Sequence, residues 1–184
     1  MPLEIPQNMP ENEPFPWDIG IYDAHCHPTD TLASIADIPQ MKATTLTVMA
    51  TRGEDQDLVQ QTAVSLSAKE GQSTSDRVVP CFGWHPWFSH QILDDTAQPT
   101  AAQNPADHKS AHYAAVLTPS PADDQSFVDL LPVPKPLSEL ISETRNRLQQ
   151  FPNALVGEVG LDRSFRLPSP WNPTDIENRD DQLT

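Results

Sequence analysis

The sequence predicts an α/β fold with a buried parallel sheet, because strand-like and helix-like segments alternate along the chain. Four short apolar runs, several of them rich in β-branched residues, are separated by segments whose apolar residues recur at helical spacing. Strands joined through helices run parallel and are buried on both faces. Such sheets are usually either doubly wound or closed into an eight-stranded barrel. Four recognisable strands suffice for the first arrangement but are too few for the second.

The predicted elements follow in chain order, with strands over residues 19–27, 43–50, 78–84 and 154–159 and helices over 29–38, 54–69 and 137–150. Pro28 and Pro39 end the first strand and the first helix. Thr51 and Glu54 have capping-box spacing before the second helix, and Pro136 suits the first turn of the third.

Three segments lack the periodicity of packed structure, in a chain with 20 prolines and 37% apolar residues. We expect a flexible leader over 1–17, a folded unit over 18–168 and a flexible tail over 169–184. Residues 91–134 form a low-complexity, disordered insertion in this prediction. His108 and His112 lie within it, where nothing nearby fixes them as metal ligands.

The net charge of −15 argues against broad electrostatic attraction to nucleic acid or to an anionic membrane. It does not exclude a phosphodiester substrate, because divalent metal ions can supply positive charge locally. The two cysteines, in apolar runs, fit buried thiols better than a disulfide. No signal peptide is evident and no apolar run approaches the ~18 residues of a membrane span, so we expect a cytoplasmic and/or nuclear protein.

The residues with metal-binding chemistry follow predicted strands. In an extended backbone His25 and His27 point to the same face, where two imidazoles can hold one metal ion. Glu158 lies in an otherwise apolar strand, where a carboxylate needs a partner such as that ion; a solvated strand end is the alternative. His85 follows the third strand, where it could contact a substrate phosphate or pack as a structural histidine.

Two aspartates lie near these candidates. Asp23 could orient an imidazole by accepting its distal N–H, or could make an ordinary structural hydrogen bond. Asp162 is either a carboxylate that supports the metal ligands or a plain loop acid.

Three motifs, Asp23–His27, Gly83–Pro86 and Gly157–Asp162, each belong to a predicted strand or follow one. Together they resemble the N-terminal signatures of the TatD family of metal-dependent deoxyribonucleases and hydrolases, over about residues 19–163. The proline-rich leader, the insertion and residues 163–168 resemble fungal members, some of which are described as interaction partners of another protein.

The resemblance implies a TIM barrel with two divalent ions, among which Mg²⁺, Mn²⁺ and Zn²⁺ are not distinguished. By the family pattern His25 and His27 hold one ion, Glu158 bridges the pair and His85 lies in the substrate pocket. The implied reaction is hydrolysis of DNA or a small phosphodiester by a metal-activated hydroxide.

Family sites also use two histidines and an aspartate from later strands, and these 184 residues contain no such segments. The fold we expect is therefore an incomplete TIM (β/α)8 barrel of about four βα units, inactive or nearly so by itself and prone to aggregate. One alternative is a non-catalytic protein whose acidic, proline-rich segments bind a protein partner. Another is a different amidohydrolase-type reaction, such as deamination, which the glycine-flanked Glu158 fits less well.

Overall fold

The computed structural model describes residues 15–66, 77–96, 105–162, 164–165 and 167. Most of the predicted leader, the end of the second predicted helix and the whole predicted tail lie outside these ranges. Strands and helices are found in the order β1 (Tyr22–Cys26), α1 (Leu32–Asp37), β2 (Thr45–Met49), α2 (Gln56–Leu66), β3 (Val78–Trp84), β4 (Ile92–Leu93), α3 (Pro105–Val116), α4 (Gln125–Leu130), β5 (Lys135–Pro136), α5 (Leu137–Gln150) and β6 (Leu155–Val159).

Four of the strands form one parallel sheet in the order β1, β2, β3, β6. Each strand therefore pairs with the next long strand along the chain, and the order never reverses as it does in a doubly wound sheet. The sheet is curled into half of a barrel. The doubly wound arrangement that strand count favoured is wrong, and the partial TIM barrel implied by the family resemblance is confirmed.

The core lies between this sheet and the helices that follow its strands. Ile38, Leu46, Val48, Val59 and Phe82 are almost completely buried there. Each such side chain contributes about 1.5–3 kcal/mol on removal from water, so these contacts hold the strands in register. No helix in the described ranges is long and apolar enough to cross a bilayer.

The turn between β2 and α2 is organised by a buried aspartate. Asp55 Oδ2 accepts hydrogen bonds from the backbone N–H of Thr51 (2.8 Å) and from its hydroxyl (2.9 Å). The backbone N–H of Arg52 donates to Oδ1 of the same carboxylate at 3.0 Å. The predicted capping box is therefore wrong, since Asp55 fills that role and the side chain of Glu54 is exposed beside Arg52.

Part of the predicted insertion is folded. Helices α3 and α4 enclose a small cluster of Tyr113, Val128 and Leu131, all buried. Asp124 caps α4 by accepting the backbone N–H of Phe127 at 3.0 Å. Strands β4 and β5 pair in parallel and bring the two ends of the insertion together. The structure thus differs from the expected disorder over 105–131; the alanines and polar residues of α3 gave no apolar stripe to reveal the helix.

Candidate metal centre

Three side chains from the two outer strands of the parallel sheet, β1 and β6, converge on one point. Nε2 of His25 and Nε2 of His27 are 2.9 Å apart. Glu158 Oε1 lies 2.9 Å from the first of these nitrogens and 3.1 Å from the second. His25, His27 and Glu158, which the sequence predicts as metal ligands, could together hold a metal ion.

Shifts in strand pairing orient these side chains. The pairing of β1 with β2 shifts by one residue between Asp23 and Cys26, directly beside His25. The pairing of β3 with β6 shifts in the same way between Phe82 and Trp84, opposite Glu158. Each shift is an extra residue on the strand that carries the ligand, and such bulges turn a side chain away from the regular alternation.

A glycine lets β3 and β6 approach closely enough for the Glu158 side chain to reach the two histidines. A Cβ atom on Gly83 would overlap the backbone carbonyl groups of Gly157 and Glu158. The same residue's carbonyl accepts a hydrogen bond from the buried amide of Gln56. Gly83 therefore sets the position of β6, and with it the position of the Glu158 carboxylate.

The hydrogen bonds of His27 determine which of its ring nitrogens carries the proton. Nδ1 lies 3.1 Å from the carbonyl oxygen of Met49, which only accepts, so Nδ1 holds the hydrogen. In the neutral ring, Nε2 then carries a lone pair, which faces the carboxylate oxygen of Glu158 at 3.1 Å. Two lone pairs facing each other are unfavourable unless a cation lies between them or the ring takes up a second proton.

His85 has the opposite arrangement. The backbone N–H of Trp87 donates to His85 Nδ1 at 3.1 Å, so the hydrogen of the neutral ring is on Nε2. That nitrogen lies 3.5 Å from Glu158 Oε2. His85 therefore offers a donor at the edge of the cluster, which suits a contact with an anion better than ligation of a metal.

The distances in the cluster fit a bound metal ion. Donor atoms about 2.1 Å from one ion and about 90° apart lie about 3.0 Å from one another. The three separations among His25, His27 and Glu158 are 2.9, 2.9 and 3.1 Å. Two imidazoles with one carboxylate are a donor set that Zn²⁺, Mn²⁺ and other divalent ions accept, and Met49 supplies the carbonyl contact that ligating histidines usually have.

Asp23 and Asp162 lie outside the cluster formed by His25, His27 and Glu158. Asp23 Oδ1 accepts the backbone N–H of His25 at 3.0 Å, which steadies the bulge rather than a ring nitrogen. Asp162 Oδ2 accepts the indole N–H of Trp87 at 2.9 Å, and Oδ1 accepts the backbone N–H of Ser164 at 2.7 Å. The Ser164 hydrogen bond is the main cause that lowers the pKa of Asp162 below its usual value.

The two thiols are turned to the other side of their strands. The Cys26 thiol donates to the carbonyl of Thr47 and the Cys81 thiol to that of Gly157, each at 3.3 Å. Burial raises the pKa of both thiols to about 11, with the charges of Asp23 and Glu158 respectively adding to the shift. Both cysteines are free and protonated at neutral pH, so neither is suited to bind a metal there.

Comparison with known proteins identifies the family. A family model described as "TatD related DNase" matches residues 22–178, which is most of the chain. The chain belongs to the TatD family.

Two curated relatives of this TatD-family chain are fungal. The Cut9-interacting protein scn1 of Schizosaccharomyces pombe is 43% identical over 149 residues, covering 81% of this chain and 41% of the relative. The uncharacterized deoxyribonuclease YMR262W of Saccharomyces cerevisiae is 30% identical over 170 residues, covering 89% of this chain and 47% of the relative. The chain thus spans less than half the length of either relative. No solved structure matches it significantly.

Sequence reasoning missed how the candidate ligands and His85 are held in place. Asp55 fixes the turn at Thr51, and the carbonyl of Thr51 accepts the backbone N–H of His85 at 2.7 Å. The only signal in the sequence was an aspartate four residues after a threonine at a strand end, which is common in turns. It also missed the stacking of Trp87 on Phe165, because the two residues are far apart in the chain.

Proposed function

We propose that His25, His27 and Glu158 hold one divalent metal ion and that the chain contributes this half-site to hydrolysis of phosphodiester bonds. The observation that supports this most directly is the lone pair on His27 Nε2, which faces the Glu158 carboxylate at 3.1 Å. Family membership supports the reaction class, since the matching family model is described as a DNase. DNA or a small phosphodiester is the substrate that we infer.

The chemistry divides between the ion and the chain. A bound divalent ion would supply an activated water and neutralise charge on the phosphate. Glu158 would share its two oxygens between the imidazoles and the edge of the site where His85 lies. His85 Nε2–H would donate to a phosphate oxygen and hold the substrate against the cluster.

The acidity of the chain makes this local positive charge necessary. With a net charge of −15, the chain repels a polyanion at long range. Binding of a phosphodiester must therefore come from contacts at the site itself, and we expect affinity for the substrate to depend strongly on the divalent ion.

We further propose that the 184 residues turn over substrate slowly or not at all when isolated. The described residues bring three ligand groups to one position. Clamping both the attacking and the leaving oxygen usually takes two ions, and three ligand groups are too few to hold them. Metal binding and hydrolysis can therefore be tested separately.

The metal-binding proposal is tested by titrating the purified chain with Mn²⁺, Zn²⁺ or Mg²⁺ and following the free ion or the heat of binding. One ion per chain is expected. Glu158→Gln should abolish this binding, while Glu139→Gln, which alters an exposed glutamate paired with Lys135, should leave it unchanged. Equal affinity in the two variants would reject Glu158 as a ligand.

The catalytic proposal is tested with a single-stranded oligonucleotide and a generic phosphodiester, in the presence of each ion. We expect turnover near the background for this chain and clear turnover when the remaining part of a full-length relative is supplied. Robust hydrolysis by the 184 residues alone would contradict the proposed dependence. Hydrolysis by the completed protein that Glu158→Gln does not reduce would contradict the proposed site.

A non-catalytic interaction protein is the second candidate, and the name of the fission-yeast relative, a Cut9-interacting protein, favours it. In that case the folded insertion and the acidic segments would bind a protein partner. Binding to a Cut9 homologue that is unchanged by Glu158→Gln and lost when the insertion is removed would support this role. Location in the cytoplasm or nucleus stays a prediction.

A further inference from the structure

A cleft of about 900 Å³ opens beside the candidate metal centre. Its walls come from the turn Pro86–Gln91, from the end of α3 and the residues after it (116–121), and from four residues after β6, namely Leu161, Asp162, Phe165 and Leu167. Pro86, at its edge, follows directly on His85, so the cleft begins one residue from the histidine that faces Glu158. A ligand with one group at the metal centre could place a second group here.

One wall of the cleft is a stack of aromatic rings. Phe165 lies parallel to Trp87, with ring centroids 5.7 Å apart and an angle of 16° between the planes. His90 lies parallel to Phe165 as well, at 6.1 Å and 13°. The hydrogen bond from the Trp87 indole to Asp162 fixes the stack in place. Aligned rings at a cleft surface provide stacking area for another flat ring.

His90 adds a hydrogen-bond acceptor to this wall. Its Nδ1 donates to the carbonyl oxygen of Trp87 at 3.0 Å. Its Nε2 is buried and has no hydrogen-bond partner among the residues that the structure describes. Burial lowers the pKa of His90 to about 4, so the ring is neutral and Nε2 is a lone pair at neutral pH. A ligand that satisfies this nitrogen must bring an N–H or O–H group.

The charges around the cleft disfavour an anionic group inside it. Asp124 and Asp162 line it, and the described lining residues include no lysine or arginine. Phosphate would be repelled here and attracted to a cation at the neighbouring centre. The uncharged, flat part of a nucleotide suits the cleft, while its phosphate suits the metal site.

We propose that this cleft binds a nucleobase that carries an amino group, belonging to the nucleotide whose phosphate is held at the metal centre. This deepens the proposed function and rests on it for the position of the phosphate. The base stacks along the Trp87–Phe165–His90 wall, and its amino group donates to His90 Nε2, which a small rotation of the imidazole exposes to the cleft. Since segment 116–121 belongs to the insertion, the folded insertion completes the base-binding wall.

The test measures binding of nucleosides to the full chain in buffer with a metal chelator, so that it does not depend on hydrolysis. Adenosine, purine riboside and ribose form a graded series, because purine riboside lacks only the amino group and ribose lacks the base. Adenosine should bind most tightly and ribose not at all. Phe165→Leu should lower the affinity for adenosine by about tenfold through loss of stacking. Val133→Ala, at an exposed position in the insertion, should leave that affinity unchanged.

His90→Phe separates the two contacts, because it retains a flat ring but removes the acceptor. It should make adenosine and purine riboside bind equally. The proposal is overturned if ribose binds as tightly as adenosine, or if His90→Phe keeps the preference for adenosine over purine riboside. It is also overturned if N-acetyltryptophanamide binds as tightly as adenosine, which would indicate a peptide site. Adenosine binding without any phosphodiesterase activity in the completed protein would retain the cleft assignment and reject the proposed function; the reverse result would reject only the cleft.

Discussion

His27 and Glu158 are 131 residues apart in the chain, and their side chains meet at 3.1 Å. One lies at the end of β1 and the other in β6, the two outer strands of the four-stranded sheet. The contact is possible because the sheet curls, which brings the carboxyl ends of its outer strands towards each other. The curvature of the half-barrel is therefore what creates the candidate metal centre.

His27 and His85 should have separable effects. His27→Ala should abolish binding of Mn²⁺ because it removes a ligand, whereas His85→Ala should leave the Mn²⁺ affinity unchanged. In the metal-loaded chain, His85→Ala should lower the affinity for inorganic phosphate by about tenfold, which is the effect of losing one hydrogen bond to a charged group. Calorimetric titration of each variant with Mn²⁺ and then phosphate checks this. His85→Gln, which keeps an N–H donor, should restore part of the phosphate affinity; loss of Mn²⁺ binding in His85→Ala would contradict the assignment.

Asp55 should matter for stability far more than a neighbouring surface aspartate. Asp55→Ala leaves the buried backbone N–H of Thr51 without its acceptor, which costs about 1–3 kcal/mol, whereas the Thr51 hydroxyl can still donate to Asp30 Oδ1 at 3.3 Å. Asp57→Ala removes an aspartate that is 77% exposed and paired with Arg147, and since Arg147 keeps Glu143 as a partner, the loss is about 1 kcal/mol or less. Urea unfolding of the two variants measures the difference. Equal free energies of unfolding would show that the Thr51 turn does not depend on Asp55.

Gly83→Ala should damage both the sheet and the site. The added methyl group overlaps the backbone of β6, so β6 must shift, at a cost of about 1–3 kcal/mol. Glu158 shifts with it, and affinity for Mn²⁺ should fall in parallel with the free energy of unfolding. Gly53→Ala is the control, since a Cβ there meets only the edge of the Trp84 ring at 3.3 Å. A Gly83→Ala protein with normal stability and normal Mn²⁺ affinity would contradict this account.

Stability should fall on mild acidification because of His90. The pKa of His90 is about 4 in the folded chain, below its ordinary value of 6.5, chiefly through burial, with a smaller contribution from His112. Below pH 6.5 the unfolded chain therefore takes up a proton that the folded chain does not. The contribution of His90 is fully present above pH 6.5 and is lost as the pH falls towards 4. Chemical unfolding across this range should show a shallower pH dependence in His90→Phe than in the unaltered chain.

The outer edge of β6 should promote self-association. The side chains of Val156 and Val159 are 57% and 67% exposed, and no strand among the described residues pairs with that edge. Unpaired apolar edges add further strands from other molecules, and lysine opposes this. Val156→Lys should therefore lower the concentration-dependent mass seen by sedimentation. Val64→Lys, at a position 60% exposed on α2, provides the matched control and should have no effect.

Much of the fold was predictable because its signals are local. The apolar run of β3 and the apolar spacing of α5 predicted both elements with the bounds that the structure shows. The meeting of His25, His27 and Glu158 was also predictable, since parallel strands place their carboxyl ends at one edge. The rest depends on contacts between distant segments. The bulges beside His25 and Glu158 arise from strand pairing, and the choice of Asp55 over Glu54 at the α2 turn depends on which side chain faces inward.

The short pairing of β4 with β5 has a consequence for where this fold tolerates added residues. Ile92 lies opposite Lys135 and Leu93 opposite Pro136, so the excursion between them leaves and re-enters the barrel at the same place. Its length can therefore change without moving β3 or β6. The same closed entry point would accept a reporter tag or a foreign peptide while the half-barrel that holds His25, His27 and Glu158 kept its shape.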